Sequence, residues 1–181
     1  VWIDIPLDIQ STLIDSHQLK HFTPDKEIKN LQSIEKLEKY LIESKRPIII
    51  AGNGINLSNT KDEFVKFIEK HQIPVATTFL GLNLLPENHH LYVGRIGLKG
   101  TRAGNFAVAN ADLIIGLGTS LSIPATGYQY HLFGREAKIV VIDIDKNEHL
   151  KNTIKIDEII EEDLSNFFKI NNSQYCNVNY K

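Results

Sequence analysis

Methionine is absent from the 181 residues, cysteine and tryptophan occur once each, and 20 Lys and Arg nearly balance 22 Asp and Glu. The lone Cys176 excludes a disulfide framework and suits a reducing compartment. A net charge of −2 leaves no basic footprint, which counts nucleic acid out as a partner. No apolar run approaches the roughly 18 residues that a membrane-spanning helix needs. The opening residues do not read as a signal peptide, so a cytoplasmic location without a membrane partner is expected. Because the chain opens on the apolar run Val1 to Pro6 with no initiator methionine, it is expected to be a piece of a longer polypeptide.

Reactive constellations are missing too. Neither a nucleophile elbow, a Cys/His pairing nor paired carboxylates can be assembled, so no catalytic residue is assigned and the segment is expected to bind rather than react. His89 and His90 are adjacent, should point apart in an extended loop, and have no partner at zinc-like spacing, so no metal ligand is assigned either.

What is present alternates between two periods. Val1 to Ile5 reads as a strand closed by Pro6, and Leu7 to Lys26 as a linker. Ile28, Leu31, Ile34, Leu37 and Leu41 have helical spacing, ending near Arg46. Pro47 to Ala51 is an uninterrupted apolar strand of the kind buried on both faces of a parallel sheet. Thr60 to Glu63 predicts a capping box, followed by the stripe Phe64, Phe67, Ile68. Further strands are expected at Pro74 to Phe79, Asp112 to Gly118 and Lys138 to Asp145, with a small-residue helix over Thr101 to Ala111. Ile154 to Ile160 is a short apolar run that overlaps a helix continuing through Leu164, Phe167 and Phe168, and a polar tail follows from Asn171. Strands and helices alternating at this spacing predict βαβ units, hence an α/β fold: a doubly wound, mostly parallel, Rossmann-like sheet flanked by helices.

In such a sheet, ligands sit outside the carboxyl ends of the strands. Gly52-Asn53-Gly54, Thr77-Thr78, Gly116 to Ser122 and Asp143 to Asp145 all fall there. Gly94 to Thr101 places three glycines at a three-residue repeat before a helix start, which either lays its amides against a phosphate or simply serves a tight turn. Arg95 and Lys99 either neutralise that phosphate or keep the loop soluble. Leu57 stands where the third glycine of a dinucleotide fingerprint belongs, which disfavours a standard NAD site. Asp143 either accepts hydrogen bonds from ribose or adenine or caps the helix after it.

From Arg46 to about Phe168 the motifs resemble, in order, the central domain of thiamine-diphosphate-dependent enzymes, the acetolactate synthase group in particular. The resemblance rests on Arg46 to Gly54, Pro74 to Gly81 with Pro86 to His89, Gly94 to Thr101, Ala111 to Gly118 and Lys138 to Asp145. It implies that residues 1–27 are the end of a preceding pyrimidine-binding domain plus linker, 28–170 the central domain, and 171–181 a linker toward a further domain. It also implies a parent enzyme that makes or breaks a C–C bond of a 2-oxo acid and forms a homo-oligomer. Thiamine diphosphate and Mg²⁺ would be held by the flanking domains, and this segment alone would be inactive.

Flavin-containing members hold FAD in the central domain. Carried over by position, the cofactor-binding residues are Gly52, Gly54, Thr78, Phe79, Ile96, Gly97, Leu98, Lys99, Gly118, Thr119, Ser120, Asp143, Ile144 and Asp163. However, Ser120, Ser122 and Pro124 stand where that group carries Arg and Asp, and Glu162 replaces the glycine before Asp163. Since a hydrogen bond to a charged group contributes about 1.5–3 kcal/mol, these changes favour an empty or ADP-accepting crevice over FAD, as in the flavin-free branch. Two alternatives remain open at this level: a stand-alone nucleotide-binding module, and an NAD-using enzyme of the deacylase or deoxyhypusine synthase type with a His or Lys in the crevice.

Overall fold

Ile48, Ile49 and Ile50 show how an all-apolar run organises the molecule. Successive side chains of a strand point to opposite faces. Ile49 and Ala51 accordingly pack into one core cluster, and Ile48 and Ile50 into a second on the other face. The computed structural model describes residues 2–20 and 32–173. Ile28, Leu31 and Cys176 lie outside them.

In chain order the elements are α1 (Leu7–Gln10), α2 (Gln32–Glu43), β1 (Pro47–Ala51), α3 (Gly54–Leu57), α4 (Lys61–His71), β2 (Val75–Thr77), β3 (Tyr92–Arg95) and α5 (Arg102–Ala109). They continue through β4 (Leu113–Leu117), α6 (Ile123–Thr126), β5 (Lys138–Asp143), β6 (Glu158–Glu161) and α7 (Leu164–Ser173). The six strands form one sheet in the order β3-β2-β1-β4-β5-β6. Every pairing is parallel, so the expected doubly wound α/β architecture stands. The strand order reverses between β1 and β4, whose registry runs from Pro47↔Leu113 to Ala51↔Leu117.

The two faces are covered differently. On one, Leu37 and Leu41 of α2, Phe64, Phe67 and Ile68 of α4, and Phe167 and Phe168 of α7 bury the odd-numbered strand residues Ile49, Leu113, Ile115 and Leu117. On the other, Val108 of α5 lies with Ile114, Ile139 and Val141. Gly104 lets α5 approach closely, since a Cβ there would sit 2.5 Å from the Arg95 carbonyl oxygen. Asp112 fixes the entry to β1 by accepting the Lys45 and Arg46 amides at 2.9 and 2.8 Å.

Several local expectations need correction. Trp2 to Pro6, expected as a strand, forms no regular element and lies exposed, with no neighbouring strand among the described residues to pair with. Gly94 and Arg95 belong to edge strand β3 rather than to a loop. The register jumps there from Val75↔Tyr92 to Ala76↔Gly94, which leaves Val93 unpaired as a bulge and hides the alternation. Glu158 to Glu161 is a strand and not a helix start; its end carboxylates face Lys36 at 2.7 Å and Lys146 at 2.9 Å. Thr60 does precede α4, but its hydroxyl pairs with Ser58 Oγ at 2.8 Å and makes no cap bond, so the capping box is absent. Finally, α7 runs on to Ser173, with Asn171 buried and its side-chain amide donating to the Phe167 carbonyl at 2.8 Å.

Candidate functional site

With all strands parallel, the turns after β1, β2, β4 and β5 emerge on one edge of the sheet. That edge brings together most of the residues singled out in the sequence. A cavity of about 320 Å³ opens at the reversal point, lined by Thr78, Phe79, Gly118, Thr119 and Ser120 together with Asn53, Leu80, Ser122, Pro124 and Ala125. A neighbouring cavity of about 490 Å³ is lined by Ile96, Gly97 and Leu98, by Asn105, Val108 and Ala109 of α5, and by Ala125 to Gln129 and Leu132 to Gly134. Ala125 forms part of both walls. Asp143, Ile144, Asp163 and Lys99 line neither.

Why Gly52, Gly54 and Gly118 are glycines is answered inside the chain. A Cβ on Gly52 would sit 2.2 Å from the Gly118 oxygen, and one on Gly54 would sit 2.6 Å from the Gly118 Cα. Gly118 itself has φ +54, a backbone that side chains disfavour. The amides of Gly52 and Gly54 donate to the Leu117 and Gly118 carbonyls, both at 2.9 Å. The turns after β1 and β4 are thus bonded to one another at the spot where a dinucleotide's phosphates would need those donors.

The loop from Arg95 to Thr101 is closed in the same way. The Ile96 amide donates to the Thr77 carbonyl, Leu98 to Pro124, Gly100 to Gly97 and Thr101 to Arg95, at 2.8 to 3.0 Å. Asn105 clamps Gly97 from both sides, accepting its amide at 2.8 Å and donating to its carbonyl at 3.1 Å. At the start of α5, the Thr101 hydroxyl accepts the Gly104 amide at 3.1 Å, an ordinary N-cap. This geometry supports the turn-serving reading of the glycines. Arg95 extends its guanidinium over the Phe79 ring, 5.7 Å from the centroid, and donates through Nε to the Lys99 carbonyl at 2.8 Å. Lys99 is exposed.

Asp143 sits at the tip of β5 beside a residue that sequence reasoning missed. The ring of His149, wholly buried, places Nε2 3.5 Å from Asp143 Oδ2, and Oδ1 accepts the Asp145 amide at 3.2 Å. Burial alone would raise the Asp143 carboxyl, but the His149 side chain and the Asp145 and Ile144 amides outweigh it and leave the group below its ordinary value. The helix-capping role considered for Asp143 belongs instead to Asp145, whose carboxylate accepts the Asn147 amide at 2.9 Å. Ile144 is exposed. Asp163 caps α7: its carboxylate accepts the Ser165 amide at 2.7 Å. Glu162, buried next to it, accepts the Asp163 amide at 3.1 Å.

Electrostatically, all residues lining the two cavities are uncharged. FAD gains little support from that lining, whose own side chains carry no charge; the cations beside it are the Arg95 guanidinium over Phe79 and the Lys151 ammonium, 3.3 Å from the Ser120 carbonyl, and the nearby glycine amides already have acceptors. An NAD-using enzyme with a crevice His or Lys is not supported either, since neither His89 nor Lys99 lines a cavity wall. His89 and His90 do not point apart as expected. A turn closed by the His89 amide on the Pro86 carbonyl stacks their rings 4.8 Å apart, with His89 Nε2 3.6 Å from Glu69. Among the described residues no group of three His, Cys, Asp or Glu side chains is placed to hold a metal ion.

Comparison with known proteins agrees with the architecture. The profile of the family described as "Thiamine pyrophosphate enzyme, central domain" matches residues 34–169. A probable acetolactate synthase large subunit of Methanocaldococcus jannaschii is 37% identical over 177 residues, covering 93% of this chain and 29% of that protein. The acetolactate synthase large subunit of Lactococcus lactis is 37% identical over 169 residues, covering 91% and 29% respectively. Acetolactate synthase 2, chloroplastic, of Nicotiana tabacum is 34% identical over 158 residues, covering 84% and 23%. The chain therefore spans less than a third of the length of these curated relatives. The expected doubly wound parallel sheet, the matched profile and this similarity together mean that the chain belongs to the thiamine pyrophosphate enzyme central-domain family.

Proposed function

We propose that this chain is the scaffolding middle domain of a longer thiamine-diphosphate-dependent enzyme that joins or cleaves a bond next to the carbonyl of a 2-oxo acid. The names of its relatives support the reaction class. Thiamine diphosphate and Mg²⁺ are assigned to flanking domains, where the cofactor, when bound, would supply nucleophilic carbon chemistry that side chains lack. The residues of this chain hold the sheet edge rigid and contribute no proton-transfer group, and its crevice works without FAD. A cytoplasmic homo-oligomer is the expected form of the whole enzyme.

One observation carries the scaffolding role: the mutual bonding of the turns after β1 and β4, with the Gly54 amide on the Gly118 carbonyl at 2.9 Å. Donors that would otherwise face a ligand instead brace the two central strands. The test is turnover by the longer polypeptide. Consumption of pyruvate or a related 2-oxo acid should require thiamine diphosphate and Mg²⁺ and should not change when FAD is added. Loss of turnover on removing flavin, or no turnover of any 2-oxo acid, would overturn the reading.

A further inference from the structure

The rim of the two cavities is both apolar and open. Phe79, Leu80, Leu98 and Tyr128 are 61%, 67%, 58% and 73% exposed, and Leu132 adds to them. All five line the cavities that share Ala125, so they form one patch rather than scattered surface residues. The patch is knitted together: the Leu98 amide donates to the Pro124 carbonyl at 3.0 Å, and the Arg95 guanidinium covers the Phe79 ring. Contiguous exposed apolar surface of this kind marks an interaction site, because isolated monomers seldom leave it in water.

We propose that this patch is a docking face for an apolar, uncharged segment of the longer polypeptide lying outside residues 1–181. The inference rests on the reading that the chain is the middle domain of a larger enzyme. Three observations fix the kind of occupant. The lining side chains are themselves uncharged, with the charges of Arg95 and Lys151 held at the rim against Phe79 and Ser120, which matches the charge-depleted core and polar rim of a permanent interface. The loop amides from Ile96 to Thr101 are mostly bonded within the chain, so the face presents side chains and offers little backbone for strand addition. More than two thirds of the length of the relatives lies beyond the matched region, which supplies the partner in the same polypeptide.

The experiment places a photo-reactive phenylalanine analogue at Leu80 of the longer polypeptide and identifies the cross-linked peptides. A peptide from outside residues 1–181 is the expected product. A peptide from residues 1–181 of another copy, or a product quenched by water alone, would overturn the proposal. A second measurement follows amide exchange in the longer polypeptide carrying Leu80→Asp and Leu98→Asp. Exchange across 79–82 and 123–128 should rise about tenfold, and unchanged exchange would contradict docking. Neither readout depends on turnover, so a failed reaction assignment and a failed docking face are separable.

Discussion

His71 closes α4 with its ring buried, 4.6 Å from the Phe67 ring, and with neither nitrogen hydrogen-bonded among the described residues. Burial lowers its pKa from the ordinary value of 6.5, and the positive charge of Lys70 lowers it further, against a smaller opposing effect of Glu38. The sign follows directly. As pH falls through 6.5 the unfolded chain takes up a proton that the folded chain refuses, so stability declines, by at most about 1.4 kcal/mol per pH unit for one group. Below the folded-state value the loss levels off. Urea midpoints measured between pH 7.5 and 5 should therefore drop, and His71→Leu should flatten that dependence; equal slopes in the two proteins would show that His71 is not responsible. A second residue-level prediction concerns Gly54. Its alanine variant forces a Cβ to 2.6 Å from the Gly118 Cα, so Gly54→Ala should destabilise by about 1–3 kcal/mol in a urea titration, the range for overpacked sites.

Among the elements, α4 and α7 are held together by aromatic edges. The Phe67 ring lies 5.6 Å from Phe167 and 5.7 Å from Phe168, at 61° and 62°. Removing it in Phe67→Ala should cost about 3–5 kcal/mol, the cost of emptying a fully buried aromatic site. A melting temperature within error of the parent would mean that α7 docks by other contacts. The same elements show what the sequence could disclose. β1, β4 and β5 were legible because strands buried on both faces read as near-continuous apolar runs, and few helices look like Ile48-Ile49-Ile50. β3 was hidden by its bulge and by Gly94, and β6 by acids at both ends whose lysine partners are distant in sequence. At the candidate site, the shared edge followed from parallel order alone. The packing of Gly54 on Gly118, the seat of Gly97 against Pro124 and the approach of His149 to Asp143 did not, since each joins residues with no local pattern to announce the meeting.

For the molecule as a whole, the crevice is shaped like a nucleotide site but furnished differently. If its uncharged walls govern binding, the longer polypeptide should be isolated without bound flavin, and calorimetric titration with FAD or ADP should give no saturable heat. A stoichiometric flavin would show that cations beyond the lining complete the site. The order of the strands has a further effect during synthesis. β1 lies between β2 and β4, yet β4 is encoded far downstream, after α3, α4, β2, β3 and α5. At about 5–20 residues per second, the Pro47–Ala51 segment waits on the order of several seconds beyond the ribosome before its second neighbour emerges. That interval leaves the isoleucine triplet without its second neighbour while the intervening elements are made.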